Sequence, residues 1–323
     1  MNTTILLAVI GAVSLAASAA EGAQKMVLAD RGRSQYTIRL CANPTVSEEY
    51  AALELQRLLK EITGAELPIQ RAGSLPLFAI LVGPDETADY VAPGIPWDEL
   101  GEEGFVVRRE GDRLVLAGQR PRGTLYAVYS FLDQEVGCRW LAPDCAVIPK
   151  KTRLELGKVR RTHVPRLEYR ETFSYTGFDG DWAARNFSNG HAARLEERHG
   201  GKIVYQGFVH TFYTLLPPSK HFAAHPEWYS ERNGQRFHER GQLCLTNPEV
   251  LQQVIEGVRG WLKEHPEARI VSISQNDWAG WCECAKCKAV DEEEGSHSGT
   301  VIRFVNQVAE ALEKEFPDVA FDT

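Results

Sequence analysis

From residue 166 onward the sequence alternates strand-like and helix-like segments, and that rhythm leaves few folds open. Strands are predicted over 166–175, 202–209, 242–245 and 269–274, and a fifth begins at 319–322. Helices are predicted over 249–264 and 299–316, and a short one near 192–198. Asn247-Pro248 marks the first long helix, an N-cap residue followed by a proline whose missing N–H costs nothing in a first turn. Strand–helix–strand connections give parallel strands joined by right-handed crossovers. The leading architecture is therefore a (β/α)8 barrel, which takes about 250 residues. A doubly wound open sheet is the alternative. Five strands are too few to close a barrel, so the domain over 166–323 is expected to be a partial one, cut at its C-terminus.

Residues 24–150 read as a separate, smaller α/β domain. A strand over 36–40 leads into a helix opened near Thr45 and Ser47, with Glu48 and Glu49 at its positive end. Leu53, Leu55, Leu58, Leu59 and Ile62 give it an apolar face, and Gly64 ends it. A buried strand over 77–82, a hairpin of 104–109 with 113–117 turned at Gly111-Asp112, and a helix over 123–136 complete a mixed sheet backed by two helices. A basic connector over 150–166 separates the two domains.

The N-terminus sets the expected compartment. Residues 5–20 are apolar and end in Ser18-Ala19-Ala20 before Glu21, which is the pattern of a cleavable signal peptide over 1–23. Export to the periplasm or beyond is expected. The run falls short of the ~20 residues that span a bilayer, and no later stretch is longer, so no membrane span is expected after cleavage. The net charge of −8 is spread along the chain without a basic stripe, which leaves counterion-release binding to nucleic acid nothing to act on. Oligomeric state is not legible.

Seven cysteines cannot all pair within one chain. Cys282, Cys284 and Cys287 are close enough to ligate one Zn²⁺, and a structural site needs a fourth ligand. Cys244 is the first choice, because it ends a strand expected to lie beside the one that precedes the trio; His297 and Asp277 stand in reserve. A disulfide within this group competes with zinc, and a redox thiol is a third option. Cys138 and Cys145 could pair across a short loop, leaving Cys41 as a small buried residue. Beyond such a zinc ion, no cofactor is expected.

The stretch Ser272-Ile273-Ser274-Gln275-Asn276-Asp277, the run Cys282-Glu283-Cys284-Ala285-Lys286-Cys287 and Phe304-Val305-Asn306 resemble the bacterial family called domain of unknown function 4838. His225-Pro226-Glu227-Trp228-Tyr229, Gln242-Leu243-Cys244-Leu245-Thr246-Asn247 and Trp182-Ala183-Ala184-Arg185-Asn186 fit the same family. The front domain is similar to the one that precedes the barrel in β-hexosaminidases and α-glucuronidases, through the 48–64 helix with Leu67-Pro68-Ile69, Arg122-Gly123-Thr124-Leu125-Tyr126-Ala127 and Gly137-Cys138-Arg139-Trp140. The resemblance implies a glycoside-hydrolase-like barrel acting on polysaccharide or oligosaccharide, with uronic or amino sugars as candidate units.

Active sites of such barrels lie at the C-terminal ends of the strands. That rule selects Arg170 and Glu171, His210, Thr246 and Asn247, and Asn276 and Asp277. Glycoside hydrolysis needs two carboxyls across the scissile bond. Asp277 is the first candidate, with Glu283 or Glu171 as partner and His210 as a donor or acid/base group; a loop-capping carboxylate and a backbone-satisfied histidine are the plain alternatives. Trp182, Phe212, Tyr213, Trp278 and Trp281 offer faces for sugar rings, or are simply packed. Arg170, Arg185 and Asn186 could bind hydroxyls or a uronate carboxylate, or be solvated. Asn276-Asp277 stands where β-hexosaminidases carry an adjacent Asp-Glu pair, one carboxylate short. Two main functions stay open: a glycoside hydrolase, and a non-catalytic carbohydrate-binding barrel relative with a structural cysteine or metal loop.

Overall fold

The computed structural model describes residues 25–71 and 73–323, and the expected signal peptide over 1–23 lies outside them. The front part is built on a six-stranded mixed sheet in the spatial order Arg160–His163, Phe105–Glu110, Arg113–Gly118, Ala79–Val82, Thr37–Leu40 and Ile69–Gln70. The Ala79–Val82 strand runs parallel to both its neighbours, whereas the two strands over 105–118 form an antiparallel hairpin. All four residues of Ala79–Val82 are buried, as a central strand covered on both faces demands. Ile80 and Val82 face the helices Val46–Thr63 and Gly123–Phe131, packing with Leu55, Leu58, Leu59 and Leu125. Ala79 and Leu81 face the other way, onto Ala88, Ala92 and Leu100.

The first helix starts as a capping box at Thr45. The Thr45 hydroxyl accepts from the Glu48 N–H (3.2 Å), and the Glu48 carboxylate accepts from the Thr45 N–H (2.7 Å). Gly64 ends it in the left-handed region at φ 77°, donating its N–H to Lys60 O. The second helix is shorter than predicted: a π turn over Leu132–Val136 follows it, closed at Gly137. The connector is also more structured than predicted. Arg153–Leu156 pairs with Met26–Asp30, and Arg160–His163 forms an edge of the six-stranded sheet. Leu154 and Leu156 alternate inward between Arg153 and Glu155, a period-two signal masked by the charges.

The back part holds a three-stranded parallel sheet in the order Val204–Gln206, Ala268–Ser272, Ala320–Asp322. The helices Pro248–Glu264 and His297–Leu312 cover it, with Val250, Val254, Val258 and Leu262 meeting Phe304, Val308 and Leu312 over Val271 and Ile273. Among the described residues this sheet is open. It realises three of the five predicted strands. The 166–175 stretch is not a strand, because a side chain takes its backbone groups: Asn189 Oδ1 accepts the Arg170 N–H (2.8 Å), and the Asn189 Nδ2 donates to Glu168 O (2.7 Å). The 242–245 stretch makes a single bridge, Leu243 to Tyr229, while the Gln242 N–H goes to Ser230 Oγ (2.9 Å). Near 192–198, where a short helix is expected, a single 3-10 turn forms at Glu197–His199; a further helix forms at Gly180–Arg185, and Ala183, Ala184, Ala193 and Leu195 join the front core. The helix Ala285–Glu294 was not predicted, since Cys287 is its one buried residue and it has no apolar stripe.

Candidate functional site

The parallel strands of the back part end in loops that enclose a cavity of about 430 Å³. Its lining includes His210, Gln242, Asn276, Asp277, Trp278 and Trp281, together with Asp291 and His297. This is the end of a parallel sheet at which ligands generally bind.

The loop that follows Ala268–Ser272 is held rigidly. The Gln242 side-chain amide clamps Asn276 from both sides, accepting its N–H (2.9 Å) and donating to its carbonyl (3.0 Å). The Asn276 amide donates to Gly241 O (3.1 Å) and the Trp278 indole to the same carbonyl (2.7 Å). Asn276 is thereby buried as the peg of the loop, and Asp277 beside it is exposed to the cavity. Trp278 and Trp281 keep 42% and 39% of their surface exposed. On the facing loop Val209 and His210 both lie at positive φ, 47° and 60°. Such conformations cost of order 1–3 kcal/mol each and concentrate at functional sites. The His210 N–H to Ser274 Oγ (2.8 Å) and its Nδ1–H to Gln275 O (2.9 Å) hold the turn in place.

The opposite wall contains a pair not foreseen as catalytic from the sequence. His297 Nδ1 donates to the Asp291 carboxylate at 2.5 Å, and the Thr300 hydroxyl donates to the same carboxylate. The imidazole stacks on Trp281 with centroids 4.1 Å apart and planes 23° from parallel. An acceptor-only partner at Nδ1 makes that nitrogen the protonated one and leaves Nε2 as the lone-pair nitrogen of the neutral ring. Asp291 lies in the last turn of one helix and His297 opens the next, so no helical period links them in the sequence.

Phe212 also lines the cavity, fully buried, whereas Glu171, Glu283, Arg170, Arg185, Trp182, Asn186 and Tyr213 lie outside it. Glu171 accepts from Tyr169 Oη and from the Ala192 N–H (2.6 Å), packed under Gly190. Glu283 faces outward to Arg232 (3.1 Å). Arg170 pairs with Glu103, and Arg185 with Glu54 (2.9 Å). Trp182 and Asn186 both donate to Trp140 O (3.1 and 3.2 Å). Arg185, Trp182 and Asn186 thus join the Gly180–Arg185 helix and its C-cap to the front part. Tyr213 packs edge-on behind Trp278 and donates to His238 O (2.8 Å).

Cys244, Cys282, Cys284 and Cys287 converge in the cavity wall, which Cys282 and Cys287 line, all buried and with their sulfurs within 4.8 Å of one another. Cys244 Sγ is 3.8 Å from Cys284 Sγ and 3.9 Å from Cys287 Sγ. Hydrogen bonds from Cys282 and Cys287, aided by the Arg236 guanidinium, hold the Cys244 thiol well below its ordinary range. Cys138 and Cys145 are unpaired, one buried and one exposed. Cys41 is a buried residue whose thiol burial pushes up to about 12, with Glu48 beside it adding to the rise.

A family model described as domain of unknown function (DUF4838) matches residues 140–323, and one described as glycosyl hydrolase family 67 N-terminus matches residues 28–131. Among curated proteins none matches the chain. Similar solved structures include a family GH115 4-O-methyl-α-glucuronidase with specificity for decorated arabinogalactans, at 14% identity and a TM-score of 0.47 over 92% of this chain and 42% of that one. They also include a Streptomyces plicatus β-hexosaminidase in complex with its product GlcNAc, at 14% identity and a TM-score of 0.46 over 93% and 62%. A Flavobacterium johnsoniae chitobiase matches at 13% identity and a TM-score of 0.46 over 92% and 50%. The chain thus spans 42% to 62% of the lengths of these three structures.

Proposed function

The chain belongs to the DUF4838 family, and from that premise we propose that it is an exported glycoside-hydrolase-like protein whose cavity takes a unit of a polysaccharide or oligosaccharide. The observation that carries the reading is the joint presence, in one cavity at the strand ends, of two half-exposed tryptophans, two carboxylates and two histidines. A pyranose presents an apolar face that stacks on an indole and a rim of hydroxyls that carboxylates and imidazoles bind. Asp277 supplies one carboxylate of the acid-and-base pair that glycoside hydrolysis uses, and Asp291 with His297 supplies the second group. Neither Glu171 nor Glu283 lines the cavity, so Asp291–His297 replaces them as the partner of Asp277. The match of residues 28–131 to a glycosyl hydrolase N-terminus supports the same class, and uronic or amino sugars are the units to try first. Export rests on the apolar run and small-residue cleavage pattern within residues 1–23.

A purely carbohydrate-binding role is the second reading, favoured because the Asp291 carboxylate is already engaged by His297 and Thr300. Calorimetric titration of the full chain with uronate and amino-sugar oligosaccharides, beside turnover of a panel of aryl glycosides, separates the two. Turnover that falls at least about 100-fold in Asp277→Asn supports hydrolysis. Binding without turnover supports the second reading, and neither binding nor turnover removes both.

A further inference from the structure

We propose that Cys244, Cys282, Cys284 and Cys287 bind one Zn²⁺ as a tetrahedral tetrathiolate site, and that this ion braces the wall of the cavity. Four sulfurs at about 2.3 Å from a central zinc stand about 3.8 Å apart along the edges of the tetrahedron. The Cys244 sulfur lies 3.8 and 3.9 Å from those of Cys284 and Cys287, and all four lie within 4.8 Å of one another. A disulfide needs about 2.05 Å between two sulfurs and leaves the other pair to itself. The spacing is that of ligands around a shared centre.

The surroundings are those of a thiolate site. The Glu231 N–H donates to Cys282 Sγ (3.3 Å), Arg236 Nη1 approaches the same sulfur (3.7 Å), and the Thr246 hydroxyl lies 3.2 Å from Cys287 Sγ. Donors of this kind orient sulfur ligands, and the guanidinium offsets part of the excess negative charge that four thiolates leave around a divalent ion. An all-sulfur, closed set favours zinc in a structural role, with no open position for a substrate.

The chain also has a mechanical need for the ion. The helix Ala285–Glu294 buries Cys287 and no other residue, so it has no apolar face of its own to fix it. Cys244 sits beside Leu243 and Leu245 on the cavity floor, Cys282 and Cys284 lie in the loop after Trp281, and Cys287 is in the helix that carries Asp291. One ion at their centre therefore fixes Trp281 and Asp291 relative to the strand ends. This inference is independent of what the cavity binds.

The test uses the full chain, purified without chelator, reductant or a metal-affinity step. Elemental analysis is expected to find one zinc per chain, falling to background in Cys244→Ser and in Cys284→Ser. Because either variant could fail to fold, the unmodified protein is also stripped and refilled with Co²⁺, whose intense visible bands and sulfur-to-metal charge transfer report a tetrahedral thiolate site. Alkylation in denaturant with chelator and no reductant is expected to label all four cysteines. A disulfide among them, iron in place of zinc, zinc that persists in both variants, or a Co²⁺ spectrum without sulfur charge transfer overturns the proposal.

Discussion

Glu103 shows how much a single residue can hold. It is buried, and its carboxylate accepts from the guanidinium groups of Arg122 and Arg170 and from the Asn189 amide (2.9 Å). A buried carboxylate shared by two arginines is costly to remove, because the cations are then left unpaired away from water. Glu103→Ala is expected to lower stability by about 3–5 kcal/mol, read from urea denaturation. A loss under 1 kcal/mol would show that water already compensates the arginines. In the cavity, Trp281→Ala takes away the ring on which His297 stacks as well as a platform for a sugar. Sugar affinity is expected to fall by about tenfold, roughly 1.4 kcal/mol, with thermal stability little changed. Equal affinity in the variant would remove Trp281 from the site. At this scale the sequence was a partial guide. Asp277, Trp278 and Trp281 were legible because they follow a strand. Asp291 was not, because its relation to His297 is made by a turn between two helices.

The Val46–Thr63 helix and the 180–199 segment meet through a charged cluster, with Arg185 on Glu54 and the Tyr50 hydroxyl between Arg198 and Asp181. Burial pushes Glu54 up, but hydrogen bonds from Arg57 and the charge and hydrogen bond of Arg185 outweigh it and hold the carboxyl below its usual range. Asp181 behaves alike: burial raises it, and His199, Arg198 and Arg185 bring it down. A carboxyl whose folded pKa is depressed adds stability that is present above its unfolded pKa and is lost as pH falls through the folded value. Stability is therefore expected to be level above about pH 5 and to drop once pH passes below about 4, where ordinary carboxyls protonate. Urea melts across that range check it, and Glu54→Gln with Asp181→Asn should flatten the curve. An unchanged acid limb in the double variant would place the effect elsewhere. The elements themselves were legible where one period dominates, as in Pro248–Glu264 with Val250, Val254 and Val258 on one face. They were not legible where side chains supply the hydrogen bonds. Asn189 and Ser230 satisfy backbone groups of 166–175 and 242–245 that a strand would have used on neighbours, and no hydrophobic pattern records that exchange.

The whole molecule has separate apolar cores joined by a polar seam. The front sheet is covered on both faces, whereas the back sheet has three short strands with Pro248–Glu264 and His297–Leu312 packed on it. Across the seam run the Glu103 cluster, the Arg122 guanidinium to Gly200 O (3.0 Å), and Arg269 to Glu102 (3.1 Å) and Glu168 (3.0 Å). The Glu103 cluster is buried and ties the 166–190 stretch to the front part, whereas the links to the back sheet are the exposed Arg269 pairs, which contribute about 0–1 kcal/mol each and transmit little cooperativity. Calorimetry is therefore expected to show two transitions, with the back part melting first because it buries less around a shorter sheet. If zinc braces the cysteine cluster, a chelator should lower the first transition and leave the second in place, since no cysteine of the cluster touches the front core. Hydrogen exchange would assign each transition, with Val250, Val254 and Val258 losing protection in the first and Ile80 and Val82 in the second. A single transition that moves as a whole on chelation would mean that the seam couples the two cores, and that the ion supports the front sheet as well as the cavity.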